Sequence, residues 1–201
     1  MKTLIKLRRS LIFIDKKLKY RTDPGGIEQD QQHKEMPNTF TQLYIQFVFA
    51  VKHRQSLIKK EWKDELYKYI TGIIQNSKSK MLAVGGMSDH IHIFIGYKPT
   101  IAMPDLVKDI KLASGSWIND NKLTSHRFNW QEGYGAFSYR LRDLDEICSY
   151  IQNQEEHHRK ITFKEEYAKL LTDFAIEYEE KYLFDFFDDL YSTPTELERT
   201  T

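Results

Sequence analysis

Residues 89–95 read Asp89-His90-Ile91-His92-Ile93-Phe94-Ile95, an apolar, β-branched run interrupted by two histidines two apart. In a strand, successive side chains point to opposite faces. His90, His92 and Phe94 then share one face, and Ile91, Ile93 and Ile95 share the other. The isoleucines can fill a core while two imidazoles stand side by side on the opposite face. Neutral imidazole is the commonest protein metal ligand. A rigid strand of this kind can present two nitrogens to one ion. The competing reading is a pair of half-exposed structural histidines.

Working outward, the aromatic and β-branched residues over 41–52 predict a strand. Trp62, Leu66, Tyr69, Ile70, Ile73 and Ile74 lie at helical spacing within 60–76. Residues 80–87 and 90–97 predict two strands joined tightly near Ser88-Asp89, with Gly85-Gly86 allowing a bulge. Leu106, Ile110, Ala113 and Trp117 mark one face of a helix over 103–119. A connection over 120–133 leads to a strand over 134–140 and a helix over about 143–159. A further helix begins after Thr162. The order βαββαβ is the ferredoxin-like layout of the α+β class, an antiparallel sheet with helices on one face. Here extra C-terminal helices follow it.

The chain has 201 residues, 40% of them hydrophobic, and a net charge of +1. That length suits one compact domain with extensions. No apolar run approaches the length needed to span a bilayer, so no membrane partner is expected. The single Cys148 forms no internal disulfide, which fits a reducing cytoplasm; it reads as a small buried hydrophobe. The charge is unevenly divided. Residues 1–35 hold nine Lys or Arg against five Asp or Glu, residues 36–163 seventeen against thirteen, and residues 164–201 four against eleven. Residues 1–35, with Pro24-Gly25-Gly26, read as a basic extension and linker outside the chemistry. Residues 36–163 form the mildly basic domain that suits a polyanion, and residues 164–201 a C-terminal helix with an acidic tail.

A second motif lies at Tyr150-Ile151-Gln152-Asn153-Gln154, followed by His157-His158-Arg159-Lys160. Tyr150 and Gln154 are four apart, so on a helix they share a face. By themselves they read as a half-buried tyrosine and a solvated glutamine. His90-Ile91-His92 resembles the His-hydrophobic-His signature of the HUH endonucleases. The tyrosine segment resembles the catalytic helix of their single-tyrosine transposases of the insertion-sequence 200/605 type, with the repeat-associated tyrosine transposases among them. Asn38–Lys52 is similar to the family's first strand, Asp105–Lys111 to its middle helix, and Phe128–Ser138 to the segment before the tyrosine. The resemblance covers about residues 36–185.

The resemblance implies cleavage and rejoining of single-stranded DNA at hairpin-bearing ends. Tyr150 is the implied nucleophile, forming a 5′-phosphotyrosine link and a free 3′-hydroxyl. A phenol with a pKa of about 10 is a poor nucleophile at neutral pH. A divalent cation, Mg²⁺ or Mn²⁺, helps by polarising the scissile phosphate. His90 and His92 are two expected ligands and Gln154 the third, through its carbonyl oxygen. Such a nitrogen and oxygen set suits Mn²⁺ well and Mg²⁺ acceptably; ligand type alone does not exclude Zn²⁺. The resemblance further implies a homodimer whose active sites are shared in trans.

Lys52, Arg54, Lys108, Lys111, Arg127, Arg140 and Arg142 are candidate phosphate contacts, each also readable as ordinary surface charge. Tyr44, Phe49, Trp130 and Tyr134 can stack bases or fill a core. Asp89 can orient His90 or serve a turn. His157 and His158 stand three and four residues after Gln154, within approach of the metal face; they read here as phosphate or surface contacts. Three rivals stand beside the transposase. One is a domesticated protein that binds hairpin or single-stranded DNA without cutting it. Another is a relaxase or replication nickase sharing the histidine pair. The third is a two-histidine phosphoesterase, against which stands the lack of a second His-x-Ser or His-x-Thr motif.

Overall fold

The computed structural model describes residues 40–54, 57–179 and 183–184. The expected basic extension over 1–35 lies outside the described residues, as do residues 180–182 and 185–201 of the acidic tail. The elements are β1 (Leu43–Ala50), α1 (Lys63–Asn76), β2 (Lys80–Gly86), β3 (His90–Tyr97), α2 (Met103–Asp120), β4 (Gly135–Tyr139), α3 (Leu144–Gln152), α4 (Gln154–His157) and α5 (Phe163–Asp173). Short 3-10 turns stand at Lys52–Arg54 and Leu141–Asp143. The four strands form one sheet in the order β2-β3-β1-β4, every neighbouring pair antiparallel. This is the ferredoxin-like arrangement that the order of elements predicts.

Register decides which side chains meet. Ile45 pairs with Ile95, Phe47 with Ile93, and Phe49 with Ile91, so one face is continuous hydrocarbon across β1 and β3. Leu66, Ile70 and Ile74 of α1 close over it with Leu106, Val107, Ile110 and Ile118 of α2. These helical residues recur every three or four positions, which puts them on one stripe. All seven are buried.

The opposite face carries His90, His92 and Phe94 of β3 with Tyr44, Gln46 and Val48 of β1. It is covered too. Ile151 of α3 is buried against Phe94 and Ala83, with Ile147 and Tyr150 packed beside them. The approach is so close that a Cβ on Gly85 would lie 2.0 Å from the Ile151 carbonyl oxygen. Only glycine permits that contact. The expected bulge at Gly85-Gly86 is found earlier. Met81 pairs with Ile95 and Ala83 with Phe94, which leaves Leu82 as the extra residue. That extra residue switches the alternation of β2 and sets the small Ala83 and Gly85 on the face beneath α3.

The tyrosine helix is shorter than the span of 143–159. It breaks at Asn153 (φ −101°, ψ 24°) into α3 and the single turn α4. Asn153 donates to the Ser149 carbonyl oxygen from its backbone N–H at 3.1 Å and from its side chain at 2.8 Å. A side-chain amide that competes for backbone acceptors in this way ends a helix. A new start follows at α5. Thr162 and Glu165 form a reciprocal capping box, with Glu165 N–H donating to Thr162 Oγ1 and Thr162 N–H to Glu165 Oε2. The charge-based division at residue 164 cuts this helix one residue after its start. Phe163, Tyr167, Leu170 and Leu171 of α5 join the main core.

Candidate metal and tyrosine site

The histidine face is closed rather than open. His90 is 1% exposed and His92 fully buried, covered by α3, α4 and α5. Phe163 stacks flat on the His90 ring at 3.9 Å between centroids. Asp89 acts on its neighbour: its Oδ1 lies 2.8 Å from His90 Nδ1. A carboxylate only accepts, so Nδ1 carries the proton and the lone pair of His90 Nε2 points into the cluster. The buried imidazole is held below its usual pKa by burial, against the opposing pull of Asp89.

Sequence reasoning missed Glu166. This carboxylate is 2% exposed and comes from α5. Its Oε2 lies 3.3 Å from His92 Nε2, 3.8 Å from His90 Nε2 and 3.3 Å from His158 Nε2. Its Oε1 accepts from Tyr150 Oη and from Gln154 Nε2, the latter at 3.0 Å. Burial alone would push its carboxyl up, but His92, His158 and His90 around it turn the net shift strongly downward. A signal was present. Positions 163, 166, 167, 170 and 171 form the buried stripe of α5, and Glu166 is the charged residue among them. A carboxylate on an otherwise apolar stripe is a site candidate.

Tyr150 and Gln154 both reach the cluster, although the helix breaks between them at Asn153. Gln154 is 2% exposed, with its Oε1 3.5 Å from His90 Nε2. The Tyr150 ring stands 5.9 Å from the His92 ring in the same chain. Burial, then the Glu166 charge, hold the Tyr150 phenol far above its ordinary pKa. As it stands, the phenol is neutral.

His157 and His158 are not surface contacts. His157 Nε2 lies 3.3 Å from Glu166 Oε1. His158 Nε2 lies 3.0 Å from His90 Nε2, and its Nδ1 lies 3.0 Å from the Ile161 carbonyl oxygen. The carbonyl accepts, so Nδ1 bears a proton. Nε2 faces the His90 nitrogen and the Glu166 carboxylate. Burial lowers the pKa of His158, but the Glu166 bond and charge outweigh that and raise it.

His90, His92 and Glu166 each offer one ligand atom, all within 4.8 Å of one another. The donors fit a divalent ion on this structure's own showing. His92 Nε2 and Glu166 Oε2 are buried, and neither has a hydrogen bond of good geometry. Two imidazoles and a carboxylate form a nitrogen and oxygen set suited to Mn²⁺ and similar ions. The Glu166 carboxylate thus joins the expected His90, His92 and Gln154.

The expected phosphate contacts fall elsewhere. Lys111 is held within the fold: its Nζ donates to the carbonyl oxygens of Gln131 and Gly133 and lies 5.0 Å over the Phe49 ring. Burial pulls its pKa down to about 8. It pins the segment before β4 to α2. Lys52 and Arg127 line a cleft of about 260 Å³ with His53 and His126. Arg127 and Lys108 line a wider groove of about 1260 Å³ beside α2. Arg54 falls in the 3-10 turn after β1. Arg140 and Arg142 pair with Asp143 at 3.0 and 3.6 Å. Phe49 and Trp130 are core residues in edge-to-face contact at 4.9 Å. Tyr134 is half-buried, edge-on to Phe47. Tyr44 packs at the histidine face.

The chain is similar to several known proteins. The family described as transposase, IS200 like, matches residues 39–154. The ISDra2 transposase TnpA of Deinococcus radiodurans is 30% identical over 120 residues, 57% of this chain and 86% of that protein. Two solved structures are similar. One is a candidate transposase from Deinococcus radiodurans R1, with TM-score 0.48, 24% identity, and coverage of 60% of this chain and 97% of that one. The other is a REP-associated tyrosine transposase bound to a REP hairpin, with TM-score 0.47, 15% identity, and coverage of 73% and 88%. Glu166 lies beyond the family match. Among the described residues, no helix is long and apolar enough to cross a membrane.

Proposed function

The chain belongs to the IS200-like transposase family, and from that premise we propose that it cleaves and rejoins single-stranded DNA at hairpin-bearing ends through a 5′-phosphotyrosine link on Tyr150. The observation that carries this reading is convergence. Tyr150 Oη, His90, His92 and Gln154 all meet around the Glu166 carboxylate. His90, His92 and Glu166 would hold Mn²⁺ or Mg²⁺, with Gln154 beside them. When bound, the ion supplies charge to polarise the scissile phosphate. The chain's own residues do the rest. Tyr150 Oη bonds to phosphorus as the bond from phosphorus to the 3′-oxygen breaks. Glu166 Oε1 accepts the hydrogen bond of the phenol and orients Oη; the phenol proton goes to water as the bond to phosphorus forms, and the departing 3′-oxygen takes one from water to become the hydroxyl. Rejoining reverses these steps, so no nucleotide is consumed.

Lys52, Arg54, Lys108 and Arg127 are the proposed phosphate contacts, with Arg140 and Arg142 at the start of α3. The family resemblance implies a homodimer with sites shared in trans. The nearness of Tyr150 to His92 of its own chain supports a site complete within one subunit. Hairpin-bearing single-stranded DNA, labelled at the 5′ side of the cleavage point and its 3′ side, tests the chemistry. In the presence of Mn²⁺, a denaturant-resistant adduct should carry the 3′-side label. Tyr150→Phe should form no detectable adduct and still bind the hairpin. An adduct formed by Tyr150→Phe refutes the assignment. An adduct formed by neither protein, with hairpin binding intact, favours the non-cutting DNA-binding protein.

A further inference from the structure

We propose that Gln46, braced by Tyr139, is the positioning residue that sets which nitrogen of His92 carries the proton, and so whether Nε2 is free to hold a metal; this rests on reading the cluster as a metal site. Gln46 lies in mid-strand on β1 and is fully buried. A buried amide in a central strand demands partners at both ends. It has them. Its Nε2 lies 2.8 Å from His92 Nδ1, and its Oε1 accepts from Tyr139 Oη at 2.7 Å. Tyr139 comes from β4, so the relay runs across the sheet and ends at the site.

The two histidines are supported by different chemistry. His90 leans on Asp89, which can only accept, so its proton stays on Nδ1 and its Nε2 lone pair is directed into the cluster. His92 leans on an amide, which can accept or donate. In the arrangement observed, the amide nitrogen donates to His92 Nδ1. The His92 proton therefore sits on Nε2, facing Glu166 Oε2 at 3.3 Å. Nitrogen in that state has no lone pair to give an ion.

Ligation through Nε2 needs the proton on Nδ1 and an acceptor beside it. Gln46 supplies that acceptor when its amide turns end over end. Its NH₂ then donates to Tyr139 Oη, which changes from donor to acceptor. A hydroxyl serves either role. The imidazole loses a proton at Nε2 and gains one at Nδ1, so its charge does not change. The amide relay thus serves both the empty and the loaded site, where a carboxylate in place of Gln46 would lock the loaded one.

The test uses the full chain. In metal-free protein carrying ¹⁵N-histidine, long-range proton–nitrogen correlation reads the His92 tautomer directly. Electron paramagnetic resonance titration reads Mn²⁺ affinity. We expect an Nε2–H His92 in the wild type and an Nδ1–H His92 in Gln46→Glu, whose Mn²⁺ affinity should equal or exceed wild type. Gln46→Leu should bind Mn²⁺ about 10–100-fold more weakly, the usual cost of losing an outer partner of a ligating histidine. Tyr139→Phe should lose less than Gln46→Leu. Equal affinity in Gln46→Leu overturns the proposal. So does an Nε2–H His92 in Gln46→Glu, or a loss there as large as in Gln46→Leu, the pattern of a merely structural glutamine. If Gln46→Leu does not fold, as judged by its thermal melt, the Gln46→Glu tautomer and affinity decide. Failure of the wild type to bind Mn²⁺ at all overturns the metal reading and the relay together.

Discussion

His92 and Ile93 are adjacent on β3, fully buried, and on opposite faces of the sheet. Ile93 meets hydrocarbon supplied by helices whose apolar residues repeat every three or four positions. His92 meets an amide, a phenol and a carboxylate drawn from β1, α3 and α5. One face is saturated with contacts and leaves nothing to react. The other retains buried nitrogen and oxygen atoms without good hydrogen bonds, which cost stability when no ligand answers them. The sheet thus separates what holds the chain together from what reacts.

Substitution of the two neighbours is the harshest trial of that separation. Ile93→Ala deletes buried methylenes and should cost about 3 kcal/mol of unfolding free energy. Below its melting temperature, it should bind Mn²⁺ within a few-fold of wild type. His92→Ala should lose roughly 10³-fold or more in adduct formation, the order of the several kcal/mol a metal supplies to charge stabilisation. Its melting temperature should move less than that of Ile93→Ala. Chemical denaturation and the adduct assay, run on both, decide it. A greater stability loss in His92→Ala than in Ile93→Ala breaks the division of labour.

The same contrast explains what the sequence made legible. The period-two alternation in 90–97 and the helical stripes of α1 and α2 are local patterns, and each was readable from a short window. So was the placing of His90 and His92 on one strand face, whereas Tyr150 and Gln154 read by themselves as a half-buried tyrosine and a solvated glutamine and were singled out by the family resemblance. Glu166 and His158 were not placed, because their role depends on how α5 and α4 fold back over the sheet. That return depends on the break at Asn153 and the close approach over Gly85. Both are single-residue events inside otherwise regular segments. The bonds of Lys111 to the segment before β4 were hidden for the related reason that a cation on a helix reads as solvent-facing until the segment it pins is known.

Two glycines sharpen the comparison at smaller scale. Gly85 lies under α3 on the histidine face, and an added methyl would meet the Ile151 backbone. Backbone cannot swing aside as a side chain can, so Gly85→Ala should cost about 1–3 kcal/mol. It should also depress adduct formation, since α3 carries Tyr150. Gly72 lies within α1 on the other side, with nothing within 4 Å of an added Cβ. There Gly72→Ala should stabilise by roughly 0.5–1 kcal/mol through helix propensity, with adduct formation unchanged. Thermal melts and the adduct assay check both variants. A stable, fully active Gly85→Ala protein would show that α3 does not need its close seat on the sheet.

The smallest effect concerns pH and the metal-free protein. His158 faces Glu166, and its pKa is raised, so the folded state holds its proton more tightly than the unfolded chain does. A group of this kind contributes stability that is fully present below its unfolded pKa of about 6.5. That contribution is lost as pH rises through the higher folded value. His90 and His157 act in the opposite sense, because burial lowers both and disfavours their charged forms in the folded state. The raw pH profile of the wild type therefore mixes opposing slopes. The difference between wild type and His158→Gln isolates the wanted one. His158→Gln should be costly at pH 6 and progressively less so toward pH 9, measured by denaturation in the presence of a chelator. A cost that grows with pH would mean that His158 is buried neutral in the folded protein.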